Sequence, residues 1–310
     1  MTQPIQHPVV WLEYAEQRLG LVPSLGGGVA AWQWNGEGTS VGTPFDVWRP
    51  WDGLNPDRYS LASFAMLPWS NRISGGGFEH GGVVHPMAPN RVGEPYPIHG
   101  DGWLQPWTLT QPDQDTMVMT LVSNYFSGNP YAYEATQTFR LLPGGLDQTV
   151  SVTHRGAVSL PYGLGLHPWF QRNLQTRLQT DVQGVWHSGV DPLPTVHTRE
   201  FPATWDPRRG MDVNGTLVDN AYTGWCGEAR ITWPEHRLQL HMRVPEVQNR
   251  AANDPGYCLL YRPPAGPAFC FEPVTHPIDA FHQPGHPGLQ VLAAGECLRL
   301  HVEWRVKPLT

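Results

Sequence analysis

Long apolar runs, basic clusters and paired cysteines are all missing from this 310-residue chain. No segment approaches the ~20 apolar residues of a membrane-spanning helix, so no membrane partner is expected. The N-terminal stretch MTQPIQHPVVWLEY has neither a basic leader nor an apolar core, and a cytoplasmic location is expected. Charged residues make up only 15% of the chain, with 20 Lys and Arg against 27 Asp and Glu and a formal charge of −7. Without a Lys/Arg cluster there is no footprint for a phosphate backbone, which argues against a nucleic-acid partner. Cys226, Cys258, Cys270 and Cys297 show no C-x-x-C spacing. They are expected to be reduced and buried. Linkers, charge blocks, low-complexity tracts and fixed-period repeats are also missing, so residues 1–310 read as one domain.

What is plentiful is turn residues and indole. Gly (33) and Pro (32) form about a fifth of the chain, below the roughly 25–30% at which composition alone suggests disorder. Spread evenly between alternating stretches, they punctuate an all-β chain. The 14 Trp are expected mostly in the core, where large aromatics dominate burial. Some remain to cover the apolar C–H faces of a neutral, hydroxyl-rich ligand.

Period-two alternation recurs from end to end. Leu298, Leu300, Val302, Trp304 and Val306 alternate with Arg299, His301, Glu303 and Arg305. Residues 131–141 and 237–244 repeat the pattern, predicting half-buried antiparallel strands. Helical periodicity is nearly absent, with one short helix or turn expected over Pro245–Asn253 before Asp254-Pro255-Gly256. The expected architecture is an all-β, large antiparallel sandwich or closed sheet assembly with the site on loops and strand ends at one side.

Three ionisable residues stand in turn-flanked signatures: Ile98-His99-Gly100, Gly165-Leu166-His167-Pro168-Trp169-Phe170 and Phe271-Glu272-Pro273. Opening and reclosing a hemiacetal ring needs one proton removed from the C1 hydroxyl and another delivered to the ring oxygen. Both groups must work in both directions, which suits histidine and a carboxylate of adjusted pKa. The economical assignment is Glu272 as base, His167 as acid and His99 as a second donor, with no cofactor. A lone histidine is more often structural than catalytic. Glu272, however, follows the apolar run Ala268-Phe269-Cys270-Phe271, where an unpartnered carboxylate would be costly. Asn71 and Arg72 precede a triple glycine, where Arg72 would either clamp sugar hydroxyls or sit at the surface beside a hairpin. Asp219 would accept from a hydroxyl or cap a turn. Trp169 is the indole assigned to the sugar. His276, His282 and His286, with Asp279, form the best metal-like cluster, but their spacing fits no zinc pattern, so no metal is expected.

These segments, in this order, resemble the galactose mutarotase (aldose 1-epimerase) family across almost the whole chain. The resemblance begins at Leu21-Val22-Pro23-Ser24-Leu25-Gly26-Gly27 and runs through Asn71-Arg72-Ile73, Asn90 and Ile98-His99-Gly100. It continues through the His167 segment and Val218-Asp219, then Phe271-Glu272-Pro273, Asp279-Ala280-Phe281 and Ala294-Gly295-Glu296. It implies a β-supersandwich, with His167 as the acid at the ring oxygen and Glu272 as the base at the C1 hydroxyl. His99, Arg72 and Asp219 would hold sugar oxygens. Leu67-Pro68-Trp69-Ser70 before Asn71, and Asp101 after Gly100, depart from galactose-utilising members and resemble a bacterial subgroup. The expected partner is therefore a small-molecule aldose, bound by a monomer or homodimer. The rival readings are a non-catalytic carbohydrate-binding protein, an epimerase for a sugar phosphate, and a glycoside hydrolase using Glu272 and Asp279.

Overall fold

A computed structural model describes residues 6–39, 43–245, 247 and 254–309. Among them strands dominate, and helix is limited to short 3-10 turns. Two large sheets carry the architecture, one of 12 strands and one of 9. The alternating stretches become the strands Cys297–Pro308, Ala132–Leu142 and Leu238–Arg243, all in the nine-stranded sheet. Their ladders are antiparallel, Val150 facing Leu300 and Met242 facing Trp304. Of the stretch expected to form a short helix, Glu246 and residues 248–253 lie outside the described residues. Val247 makes an isolated bridge to Leu300.

The inward faces of the two sheets share one apolar cluster, because alternation points every second side chain the same way. Within the larger sheet Trp32 meets Trp48 edge-on at 5.0 Å, and Trp48 in turn meets Trp304 of the smaller sheet edge-on at 5.4 Å. Most tryptophans are core, as expected. The cysteines differ from expectation: all four are free, but only Cys258 and Cys270 are buried, while Cys226 is exposed on the turn before Glu228–Trp233.

The strand that positions the site is Ala268–Val274, buried along its whole length. Phe269 and Phe271 face the shared core. By alternation Cys270 and Glu272 face the opposite way, out of the sandwich. Loop-rich chain between residues 49 and 107 covers that outer face, which is why it is not solvent. An isolated parallel bridge joins Leu67 to Gly100, and an antiparallel one joins Arg72 to Ile98. The Asn90 amide clasps the turn, donating to Ile98 O and Gly100 O and accepting from Ile98 N–H.

Gly100 has no room for a side chain. Its φ is 70°, and a Cβ there would lie 1.9 Å from Leu67 O. Gly144, with φ 81°, has nothing within 4 Å of the same position. Gly144→Ala is therefore expected to cost about 1 kcal/mol of backbone strain. Gly100→Ala adds a backbone collision and is expected to cost roughly 3 kcal/mol or more in thermal unfolding. Equal melting temperatures for the two variants would show that the turn is looser than described.

His276 ties the same covering loop to the strand end. Its Nε2 accepts from Ser70 N–H at 3.0 Å and its Nδ1–H donates to Pro277 O at 2.8 Å. Burial lowers its pKa to about 4. The folded value lies below the ~6.5 of an unfolded histidine, so its contribution is full above pH ~6.5 and fades as pH falls towards 4. That amounts to about 3 kcal/mol lost on acidification. His276→Gln is expected to be less stable at pH 7 but to lose less stability between pH 7 and 4.5. A wild-type slope of melting temperature against pH in the variant would place the acid sensitivity elsewhere.

Candidate active site

The site is assembled on a cross-strand row. Trp169 pairs with Cys270, Cys270 with Tyr261 and Tyr261 with Asp219, so these four side chains share one sheet face. Glu272 stands one rung further along that face, opposite Leu259. His167 lies between the short strands Gly165–Leu166 and Trp169–Gln171. Its backbone N–H donates to Phe64 O at 3.0 Å, which fixes the imidazole over the row.

His167 Nε2 sits 3.5 Å from Glu272 Oε1, both side chains almost fully buried. Their remaining polar atoms, His167 Nδ1 and Glu272 Oε2, are buried without a hydrogen-bond partner. Desolvation lowers the His167 pKa to about 3. It pushes the Glu272 carboxyl well above the usual range, Asp219 adding to the rise and Arg72 opposing it. Neither charge is welcome here. Burial thus works against both the carboxylate and the imidazolium expected from sequence.

His99 is also buried, with φ 59°, and its ring centroid lies 5.2 Å from that of His167. Its Nδ1 accepts from Asn71 N–H at 3.1 Å. The network therefore assigns the ring proton to Nε2, leaving a donor for the cleft. Burial holds its pKa well below that of free imidazole, and the positive groups around it act in the same direction. Asn71 itself is occupied: φ is 52°, and its Oδ1 accepts from the Arg72 backbone N–H and Nη1. It braces Arg72 and His99 through its Oδ1 and backbone N–H, while its Nδ2 is not used in that bracing.

Arg72 is held in a fork. Its Nε and Nη2 bind the two Glu94 oxygens at 2.9 and 3.1 Å, and Nη1 lies 3.7 Å from Asp219 Oδ2. Burial works against its charge, but Glu94 and Asp219 more than offset that. Asp219 is not a turn cap; it lies within Val218–Thr223 and, on the row, faces the cleft. Trp169 is 8% exposed, with the Arg49 guanidinium 4.3 Å over its ring and His167 tilted beside it at 5.5 Å. The indole is a wall of the site.

Several contributors were missed by sequence reasoning. Glu94 arrives from a loop with no motif of its own. Tyr59 packs near His167 and His99, with the Arg91 guanidinium stacked 3.4 Å over its ring. Cys270 had a usable signal: in an alternating strand, the residue two before Glu272 must share its face. His276, His282 and His286 do not converge on one point. His276 is spent on Ser70 and Pro277, whereas His282 pairs with Asp279 at 2.8 Å. Asp279 also accepts from Ser74 N–H and Oγ–H, which commits it to the loop.

Relatives place this geometry in a known lineage. The family model described as Aldose 1-epimerase matches residues 13–305. The uncharacterized protein YphB of Escherichia coli K12 is 33% identical over 252 residues, spanning 78% of this chain and 83% of YphB. A crystal structure of a candidate aldose 1-epimerase from Escherichia coli K12 superposes with a TM-score of 0.86 at 27% identity, covering 97% of this chain and 99% of that one. A galactose mutarotase-like protein from Clostridium acetobutylicum shares the fold, with a TM-score of 0.79 at 17% identity over 97% and 96% of the two chains. Among the described residues no helix is long and apolar enough to cross a membrane. With a family match across nearly its whole length and the two-sheet architecture of its neighbours, the chain belongs to the aldose 1-epimerase family.

Proposed function

We propose that the protein interconverts the α and β anomers of a free aldose by ring opening and reclosure, using its own acid and base and no cofactor. The observation that carries the reading is the 3.5 Å approach of His167 Nε2 to Glu272 Oε1, with His99 packed 5.2 Å from the His167 ring and Arg72 held 3.7 Å from Asp219. One proton is shared by the pair. When the ring-closed sugar enters, its hydroxyls replace lost hydration and the proton passes from Glu272 to His167. Glu272 then takes the C1 hydroxyl proton while His167 protonates the ring oxygen. The open-chain sugar rotates about C1–C2, and the two transfers run in reverse on closure. His99 Nε2–H, Arg72 and Asp219 hold the hydroxyls that keep the sugar in register.

A neutral sugar is favoured over a sugar phosphate because the cations nearby are already engaged. Arg72 is committed to Glu94 and Asp219, and Arg91 pairs with Asp57 at 3.3 Å. Arg49 donates to the carbonyls of Tyr59 and Leu61 while stacking on Trp169. A phosphate would have to break one of these sets. The same balance explains why recognition would rest on hydrogen bonds.

Glu272→Gln and His167→Asn are each expected to lower the enzymatic rate of anomer exchange by about 10²–10⁴-fold, the range of general acid–base catalysis. That corresponds to ~3–5 kcal/mol of barrier. Magnetisation-exchange NMR or polarimetry on a panel of aldoses measures it, and full activity in both variants would end the mechanism.

The shared proton also sets a pH profile. Below the His167 value the pair holds two protons and lacks a base; above the Glu272 value it holds none and lacks an acid. The profile of kcat/KM is therefore expected to be bell-shaped, with an acid limb well below the ~6.5 of free imidazole. An acid limb near 6.5 would mean that His167 is hydrated when free enzyme meets sugar, and the dry-pair description would fail.

A further inference from the structure

We propose that His167, Cys270 and Glu272 also form a three-ligand site for a divalent ion of the Zn2+ class, which shuts the acid–base centre reversibly. Cys270 and Glu272 leave the same face of Ala268–Val274, two residues apart, and His167 confronts both. One donor atom from each lies within 4.8 Å of the other two, and all three residues are buried. A tetrahedral Zn2+ with bonds of about 2.0–2.3 Å keeps its ligands about 3.3–3.6 Å apart. A side-chain adjustment of about 1 Å therefore completes the set.

Two further observations favour an ion over mere proximity. Glu272 Oε2 and His167 Nδ1 are buried without hydrogen-bond partners, so both residues have unused donor capacity. The donor types are one sulfur, one imidazole nitrogen and one carboxylate oxygen. That mixture suits Zn2+ or Co2+, whereas Mg2+ and Ca2+ take oxygen ligands. On coordination the Cys270 thiol proton and the proton held by the His167–Glu272 pair both leave to bulk water, and the fourth tetrahedral position stays open. An ion held there occupies the gap between Nε2 and Oε1 through which the shared proton must pass. That inhibitory consequence rests on the epimerase reading; the binding site itself does not.

The test uses chelator-treated full-length protein, titrated with ZnCl2 by calorimetry and with CoCl2 by absorbance. Wild type is expected to bind one ion per chain with a thiolate-to-cobalt charge-transfer band, and Zn2+ is expected to slow anomer exchange. Cys270→Ser and Cys270→Ala are expected to lose the band, to weaken binding at least about tenfold, the scale that even an outer-shell partner carries, and to have their own anomer exchange slowed far less by Zn2+ than wild type is. Cys226→Ser, at an exposed thiol, is expected to change none of these. A band and affinity that persist in both Cys270 variants, or that vanish in Cys226→Ser, would overturn the site, as would no binding at millimolar Zn2+. Binding that needs Cys270 in a protein that exchanges no aldose would uphold the metal site and sink the epimerase reading instead.

Discussion

Everything at the cleft follows from placing a carboxyl group on a strand with no wet face. Ala268–Val274 has the core on one side and the covering loops on the other, so Glu272 cannot keep water around it. An isolated carboxylate there would be costly, and neutralisation is the cheapest response. Arg72, the nearest counter-charge, is shared with Glu94 and Asp219 and cannot offset burial. The raised pKa of Glu272 is thus a consequence of topology before it is a feature of catalysis.

The surrounding groups are organised to hold that arrangement still. His99 and Asn71 both adopt positive φ, and each donates its backbone N–H to the other residue: His99 N–H to Asn71 O, Asn71 N–H to His99 Nδ1. Such backbone conformations are uncommon in residues with side chains and persist where the surroundings over-determine them. Here the two isolated bridges, the Asn90 amide and the absent Cβ of Gly100 supply that constraint. A ring nitrogen whose tautomer is fixed by a backbone donor is a dependable donor on its other side.

How much of this was legible depended on whether the signal was local. Alternation over residues 298–306 reports directly on a half-buried strand, because each residue's neighbours are set by a period of two. Glu272 stood out for the same reason, as a charge inside an apolar run. Glu94 and Arg91 reach the site from irregular chain and Tyr59 from a single 3-10 turn, Arg58–Ser60, all too short or irregular for spacing to carry geometric information. Trp169 shows the limit in another way. Its position beside His167 was readable, but whether its ring faces a ligand depended on Arg49, far away in sequence and brought over the indole by folding. Protonation was the least legible of all, since it depends on how completely loops from elsewhere exclude water.

The opposite pKa shifts of the pair have a mechanistic reading that the sequence did not suggest. In the proposed cycle, opening the ring leaves Glu272 carrying the C1 proton and His167 stripped of the one it gave to the ring oxygen. That is a carboxylic acid beside a neutral imidazole, the direction in which burial pushes both groups. The dry pocket therefore favours the protonation state that accompanies the open-chain sugar and disfavours the charge-separated pair that accompanies the closed ring. Interactions that are stronger for the high-energy species than for the ground state are the ones that raise turnover. Desolvating the pair thus acts in the productive direction for both anomers alike, because α and β pass through the same open chain. A site hydrated enough to keep Glu272 ionised would bind the closed sugar with less reorganisation, and would lose that bias.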